Sequence, residues 1–497
     1  MLYFRQILIL FVGLYSIRVV LDVLGVEDFG IYGAVAGVVA LSGFLSGSLA
    51  QATQRYFSFA LGKNDKNLLN KVFSVNFIFY IVVAFLAFVI LQTIGAWFID
   101  SQLLLPEARS TAAKQLYNYS VLTFVLSVIT TPFIAIIMAH EDMKLYAYIS
   151  ILEAFMKLGM VFLIQYIAWD KLELYGFILL CVGIVNAIIY VGICLYRYNE
   201  CQLRRLYWDF SLLKEIIGFT GWTIFGAIST VARTHAITIL LNQSFSPAVV
   251  AARVLAEQIS NQVNIFSGNF NASLYPPIVK TYADAQLQEM YGLIIGGSKI
   301  TFFLLWVFAL PMIVEMETIL GVWLTDVPAN AVLFAQLSLA EALVLSISLP
   351  LTAAARAPGK MKAYELTLGT IQIGIFVTAW TVIVAGAPAY SVFIVGILAN
   401  ILMFGVRLYL VSRLTGFPII IFLKYTVLPV VVIILVTIIP IFTLNQLLPS
   451  GFYWSALLVF TSFIFTAIAM YFIGLDKIWQ KKLITLLLSR VSKLQRT

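Results

Sequence analysis

Charged side chains interrupt the apolar runs of this chain at a few places, and those are the places where chemistry can be done. Arg18, Lys157, Arg233, Arg253 and Lys299 lie inside such runs, as do Asp22, Glu153, Glu257 and Glu341. Glu315 and Glu317 stand near the end of another. If the runs cross a bilayer, an ionised group at mid-depth costs at least about 2.5–3.5 kcal/mol and survives only beside a partner or water. Together these residues imply a hydrated interior. Arg18 with Asp22, Glu153 with Lys157, and Arg253 with Glu257 share an i, i+4 spacing that puts each pair on one helix face. Two roles fit such a pair. One is mutual neutralisation, which eases insertion. In the other, the basic member meets an anionic substrate while the carboxylate carries a coupling ion. Arg233 and Lys299 have no acid four residues away and are the stronger candidates for substrate phosphate, Arg233 because its planar fork matches phosphate oxygens. Pairing with Glu341 or another helix is the alternative. Arg233, Arg253 and Lys299 are expected to face one water-filled space.

The run that carries Arg253 is also rich in amides: Gln258, Asn261, Gln262, Asn264, Asn269 and Asn271. Asn261 and Asn264 are candidates for the lining of a sugar-compatible cavity. Interhelical hydrogen bonds, worth about 0.6 kcal/mol each in membranes, account for the same residues equally well. No nucleophile elbow, catalytic carboxylate pair or Gly-rich phosphate loop stands in a supporting context, so no catalytic residue and no enzyme activity is assigned. Two histidines and three cysteines without a CxxC spacing give a metal site almost no ligands, and no metal or bound cofactor is expected. His140–Glu141–Asp142 reads as a solvated turn at a helix end.

The elements that must position these residues follow from composition. Hydrophobic residues make up 62% of the 497 positions and charged residues 11%, far below the quarter or so that a wetted surface needs. Apolar runs of about 20 residues recur, each long enough to cross about 30 Å of hydrocarbon. In lipid they must be helical, because an unpaired backbone amide there costs several kcal/mol. The fold class is therefore an all-α polytopic membrane protein of about fourteen transmembrane helices: two six-helix lobes and two C-terminal helices. Spans are expected near 5–24, 29–51, 72–96, 115–138, 147–168 and 174–196. After a basic loop they continue near 215–242, 248–274, 292–316, 331–354, 363–385 and 390–411, and end with 420–444 and 453–474. The boundaries read as 1–200 and 201–414 for the lobes, 415–475 for the appended pair and 476–497 for a basic amphipathic tail helix on the inner leaflet. The first run lacks a small-residue cleavage site and reads as a span, not a removed signal.

Orientation follows from Lys and Arg. Of the 31, 23 fall on the side of the termini, against Arg109, Lys114 and Lys171 on the other. The positive-inside rule places both termini in the cytoplasm of an inner membrane. The net charge of +8 then reflects anionic lipid and not nucleic acid. The halves also echo each other. Arg55–Tyr56 to Gly62–Lys63–Asn64–Asp65 closes the second span much as Tyr275–Pro276–Pro277 to Tyr282–Ala283–Asp284 closes the eighth. Paired repeats rocking about a midplane site are a common transporter plan.

Several runs are similar to one family. Leu14–Tyr15–Ser16–Ile17–Arg18–Val19–Val20–Leu21, then Leu24–Gly25 and Phe29–Gly30–Ile31–Tyr32, resemble the opening of Wzx-type polysaccharide exporters. Gln51–Ala52–Thr53–Gln54–Arg55–Tyr56, followed by Gly62, resembles the end of their second span. The resemblance at residue level is concentrated before about Asp65, while span number and length agree along the chain. It implies a member of the multidrug/oligosaccharidyl-lipid/polysaccharide exporter superfamily with two lobes alternating in access around a cationic cavity. It also implies a flippase in the bacterial inner membrane that moves an undecaprenyl-diphosphate-linked glycan for O-antigen, capsule or similar surface polymers. H+ or Na+ would be the coupling ion, carried by Asp22, Glu153, Glu257 or Glu341. Membrane lipid and other polysaccharide-assembly membrane proteins would be its partners. A cation-coupled multidrug exporter is the alternative of the same class, and a membrane glycan polymerase or ligase the alternative from another.

Overall fold

The computed structural model describes residues 2–40, 43–102, 107–164, 166–203, 206–245, 247–324, 327–449, 451–474 and 480. The tail read as an amphipathic helix, 476–497, lies outside the described residues apart from Gln480, and so do the side chains of Arg18 and Asp22. Among the described residues there is no strand. The helices are α1 Leu2–Ala40, α2 Gly43–Gly62, α3 Lys66–Ile90, α4 Ala96–Gln102, α5 Ser110–Ala139, α6 Met143–Leu163 and α7 Lys171–Arg197. They continue with α8 Phe210–Ser244, α9 Pro247–Ala283, α10 Leu287–Val314, α11 Met316–Trp323, α12 Ala331–Ile347 and α13 Leu349–Arg356. The last are α14 Lys362–Val384, α15 Ser391–Thr415, α16 Ile419–Phe422, α17 Leu428–Leu447 and α18 Phe452–Ala469. Single π turns join α3 to α4 and α16 to α17. Each of the fourteen expected spans has its helix or helix pair, and ten of the described stretches are long and apolar enough to cross a membrane. The protein is a multi-pass membrane protein.

Gly25 shows why α1 holds more than one span. Its φ of 75° is a conformation that glycine takes cheaply and other residues do not, and it breaks the helix between the first two expected spans. The chain corrects the reading elsewhere. Helix α9 does not stop at 274 but runs through Pro276 and Pro277 to Ala283. Membrane helices tolerate internal proline where neighbouring groups re-satisfy the backbone.

The helices assort into two compact units. Unit 1 comprises residues up to Ile228 with Val279–Gln286 and Gly359–Glu365; unit 2 comprises Ser229–Ile278, Leu287–Pro358 and the chain from Leu366. Unit 1 thus runs past the expected boundary at residue 200 and includes short pieces of the second half. Its core packs α5 against α2, α3 and α7 through Tyr80, Ala113, Leu116, Val121 and Val128. Buried polar groups there are partnered: Thr53 Oγ1 donates to Asn76 Oδ1 (3.0 Å) and lies 2.9 Å from the Tyr80 hydroxyl. At the ends of α2 and α9 the sequence echo becomes geometry. Asp65 N–H reaches Ala60 C=O and Asn64 N–H reaches Leu61 C=O; Gln286 and Ala285 repeat the pattern on Thr281 and Tyr282. Asn64 and Ala285 both take positive φ, as a helix-ending turn of this kind requires. The two ends meet: a Cβ on Gly62 would lie 2.7 Å from the Lys280 Cα.

His140–Glu141–Asp142 is the turn expected at a helix end, with Glu141 exposed, and it is also tied into a cluster of ion pairs and hydrogen bonds. His140 stacks on Tyr198 (4.5 Å) with its Nε2 2.5 Å from Glu200. Glu141 accepts from Lys280 (2.7 Å), and Asp142 from Arg197 (3.1 Å) and Tyr198 (2.5 Å). These partners come from distant parts of the sequence, which a local reading of the tripeptide does not supply.

At the opposite end, Arg109 bridges Asp28 of α1 and Asp170, the N-cap of α7. Its Nη1 donates to Asp170 at 2.5 Å and its Nε to Asp28 at 2.7 Å. Burial works to raise Asp170, but the Arg109 hydrogen bonds and the N–H groups of Glu173 and Leu172 outweigh it and hold the carboxyl below its usual range. A carboxyl so lowered contributes stability that is fully present above the unfolded value and lost as pH falls through the folded one. Asp170 should therefore contribute a constant stability to the detergent-solubilised chain above about pH 5, and the loss of that contribution should lower the melting temperature as the pH falls below about 4. Arg109→Met should lower the neutral-pH melting temperature and flatten that acid limb; an unchanged acid limb would deny the clasp its role.

In unit 2, α10 is the hub. Helices α12, α13, α17 and α18 pack on it, α18 through rings such as Phe463 on Phe308, and the first of the two appended spans is tied there by polar contacts. Trp306 Nε1 donates to Thr437 Oγ1 (3.0 Å) and Thr426 Oγ1 to Ile295 C=O (3.0 Å).

Orientation is open to a direct test by thiol labelling, but not at native Cys201. That thiol is buried, and a hydrogen bond with Cys194 followed by burial pushes its pKa up, so little reactive thiolate forms. Asn199 and Ser244 are exposed, whereas Ser246 lies outside the described residues. In a cysteine-free background, Ser244→Cys should react with an impermeant maleimide on intact cells and Asn199→Cys only after permeabilisation. The reverse result would invert the topology.

Candidate functional site

Four of the charged residues singled out by sequence come together in unit 2. Arg233 on α8 places Nη1 3.4 Å from Oε1 of Glu341 on α12. The same oxygen accepts from Asn400 Nδ2 on α15 at 2.9 Å, and Asn400 also donates to Gly396 C=O one turn back (3.0 Å). A Cβ on Gly396 would lie 3.1 Å from the Glu341 carboxyl, so glycine leaves the carboxylate its place. On α9, Arg253 Nη2 lies 2.6 Å from Glu257 Oε1, and the guanidinium stands 5.8 Å from the Phe393 ring of α15. Arg233 and Glu341 are near enough to act electrostatically on Arg253. The result is a network of two guanidinium and two carboxylate groups, balanced in charge and mostly closed to solvent.

This corrects the expectation of an open hydrated space around three cations. Lys299 is fully buried at 0% exposure, and the Arg253 side chain is 7% exposed and closed onto Glu257. Arg233 takes the alternative raised for it, the pairing with Glu341. The physical reason is the cost of an unpaired charge in a low-dielectric interior, which pairing removes. Spare capacity remains, however. The Nε atoms of Arg233 and Arg253 are buried without a hydrogen-bond partner. If Glu341 takes up a proton or cation, its hold on Arg233 weakens and guanidinium donors become free for an anion.

The amides divide. Asn261 is exposed, and half-buried Asn264 donates to Ser260 Oγ (3.4 Å), which in turn reaches Ser338 C=O (3.3 Å). Asn264 thus bonds within α9, and Ser260 makes the contact with α12. Asn400 is a residue of this site that the sequence alone does not single out, and Arg407 is a second buried polar residue of α15 that it does not single out. Buried Arg407, on the same helix, donates to Ser348 Oγ at 2.5 Å. Gly396, Asn400 and Arg407 recur at i, i+4 and i+11 on one face of α15, a polar stripe that could have flagged them.

Unit 1 carries a separate group. Lys157 Nζ donates to Glu153 Oε1 (2.7 Å), as the spacing implied, and Asn186 of α7 donates to Glu153 Oε2 (3.0 Å). Buried Arg5 lies over the Tyr146 ring at 4.8 Å. Arg18 and Asp22 lie outside the described side chains. No group of three or more metal-ligating residues occurs among the described residues.

Comparison with solved structures decides the architecture. A multidrug resistance MATE family transporter of the MOP superfamily, in its outward-facing conformation, matches with a TM-score of 0.73 at 14% identity, over 84% of this chain and 95% of that one. The fold is that of the MATE transporters. A MATE in the bent conformation matches with a TM-score of 0.73 at 12% identity, over 83% and 94% of the two chains. A MOP superfamily transporter from Pyrococcus furiosus, described as having a binding pocket of reversed polarity that suggests a different function, matches with a TM-score of 0.64 at 14% identity, over 84% and 95%. No family model and no curated relative matches the sequence.

Removing one partner of a buried ion pair strands the other, at a cost of about 3–5 kcal/mol, whereas replacing both with apolar groups is often neutral. Arg233→Met and Glu341→Leu should each lower the melting temperature, and the double variant should regain most of the loss. Additive losses would mean the two residues are not coupled.

Proposed function

We propose that this chain is a cation-coupled membrane exporter in which ion binding at Glu341 governs whether Arg233 is held or released. The observation that carries the reading is the shared Glu341 oxygen, contacted by both Arg233 and Asn400. A carboxylate so held can trade a guanidinium for a proton or sodium ion, which gives two states of similar energy that a ligand can bias.

Two cargo classes fit that engine. Multidrug export has the better support from the comparisons, since one of the matching structures is a multidrug resistance transporter with this fold. Translocation of an undecaprenyl-diphosphate-linked oligosaccharide is supported by the sequence resemblance and by two arginines able to meet a diphosphate. It is supported too by length: the matched transporters leave about a sixth of this chain unaccounted for, while nearly all of theirs is covered.

Deleting the gene separates the two. For the flippase, lipid-linked repeat units accumulate on the cytoplasmic face and surface polysaccharide disappears. For the drug exporter, surface glycan stays intact and cells become sensitive to cationic dyes. In either case Glu341→Gln at normal abundance should fail to complement. Full complementation by Glu341→Gln would remove the proposed coupling site.

A further inference from the structure

Unit 2 has an opening at the end opposite the basic loops, apart from the Arg233 network. Helices α10, α11 and α18 wall a groove of about 890 Å³ whose surface is almost wholly apolar, with Phe308, Met312, Val322, Trp323, Phe460 and Phe463 among its sides. That size lies within the range of about 300–1,000 Å³ typical of pockets for drug-sized molecules. Glu315 lines it as well, 7% exposed, and accepts from Thr318 Oγ1 at 2.7 Å. The Thr318 hydroxyl lies 3.3 Å from Ser455 Oγ on α18. Glu315, Thr318 and Ser455 also line an adjoining polar pocket of about 280 Å³, shared with Glu317 and Asn445. Among the described residues, neither opening is lined by a Lys, Arg or His.

An apolar groove in a membrane protein would by itself be filled by any lipid tail. The carboxylate makes this one selective. Glu315 is largely removed from water, with a neutral hydroxyl as its side-chain partner and no cation lining the site, so a ligand that brings a positive charge relieves its desolvation. A phospholipid brings a phosphate too, and two carboxylates without a basic residue oppose it. Charge complementarity thus favours a cation with no phosphate attached.

We propose that the groove binds a single-chain cationic amphiphile, with its hydrocarbon chain along Phe308, Phe460 and Phe463 and its ammonium group at Glu315. The site is independent of the Glu341 coupling and of either cargo class, so its failure leaves those readings standing.

The probe is a bromoalkyl-trimethylammonium ion, whose bromine quenches indole fluorescence, added to the purified full chain in maltoside micelles. Quenching should saturate and should lose its saturable part in Trp323→Phe. Glu315→Gln, which keeps the hydrogen bond from Thr318 but loses the charge, should weaken binding about tenfold, the loss of one charge–charge contact. Ala456→Phe narrows the groove without touching the carboxylate and should abolish saturable quenching, so the proposal stays testable if Glu315→Gln does not fold. The matching bromoalkyl alcohol and sulfate should show no saturable quenching. The proposal is overturned if the alcohol binds as well as the ammonium ion, which means lipid-like filling only. It is equally overturned if phosphatidylethanolamine competes as strongly as an unbrominated alkylammonium, or if Glu315→Gln and Ala456→Phe bind as the parent does.

Discussion

A charge inside about 30 Å of hydrocarbon must find a partner, and the polar architecture of this protein is a set of answers to that requirement. Arg253 solves it locally, with Glu257 one turn along α9, and Lys157 does so with Glu153 on α6. Arg233 has no such neighbour and reaches across to Glu341 on α12, which Asn400 on α15 also holds. In the local pairs the charge is neutralised within one helix, and their contacts with other helices, Asn186 with Glu153 and the Phe393 ring with Arg253, are uncharged. The long-range pair ties three helices to one carboxylate oxygen, so a change in the ionisation of that group is felt on all three. This difference makes Glu341 a candidate for coupling and leaves Glu153 and Glu257 closer to neutralising partners.

Close approach is the second condition. Helices in lipid gain little from burying apolar surface, so they associate through packing, small residues and hydrogen bonds. Gly396 leaves room for the Glu341 carboxylate, and Gly62 lets the end of α2 lie on the backbone of α9 at Lys280. The Trp306 indole to Thr437 contact then fixes the added helix α17 on α10, and Phe463 of α18 packs on Phe308 of α10.

Hydropathy made the helices legible, because apolar runs of spanning length leave the backbone no other choice. Their ends were less so: α9 continues through two prolines that normally signal a stop, because the tertiary contact of Lys280 with Gly62 is invisible locally. For the site, spacing found Arg253 with Glu257 and Glu153 with Lys157, since i, i+4 neighbours meet on any helix. It raised Arg233 with Glu341 only as one option, because 108 residues separate them and pairing across helices depends on the fold. Asn400 and Arg407 escaped because each alone resembles an ordinary polar residue, one mid-span and one beside a basic loop. Lys299 shows the converse, a cation conspicuous in sequence that is fully buried.

The central claim is that Glu341 exchanges its guanidinium partner for a proton or a metal cation. Infrared difference spectroscopy of the purified protein, on lowering the pH or adding Na+, observes carboxyl groups directly. The expected result is a carboxyl band that changes on one of these additions and is missing from the Glu341→Gln difference spectrum. An identical difference spectrum in parent and Glu341→Gln would contradict it.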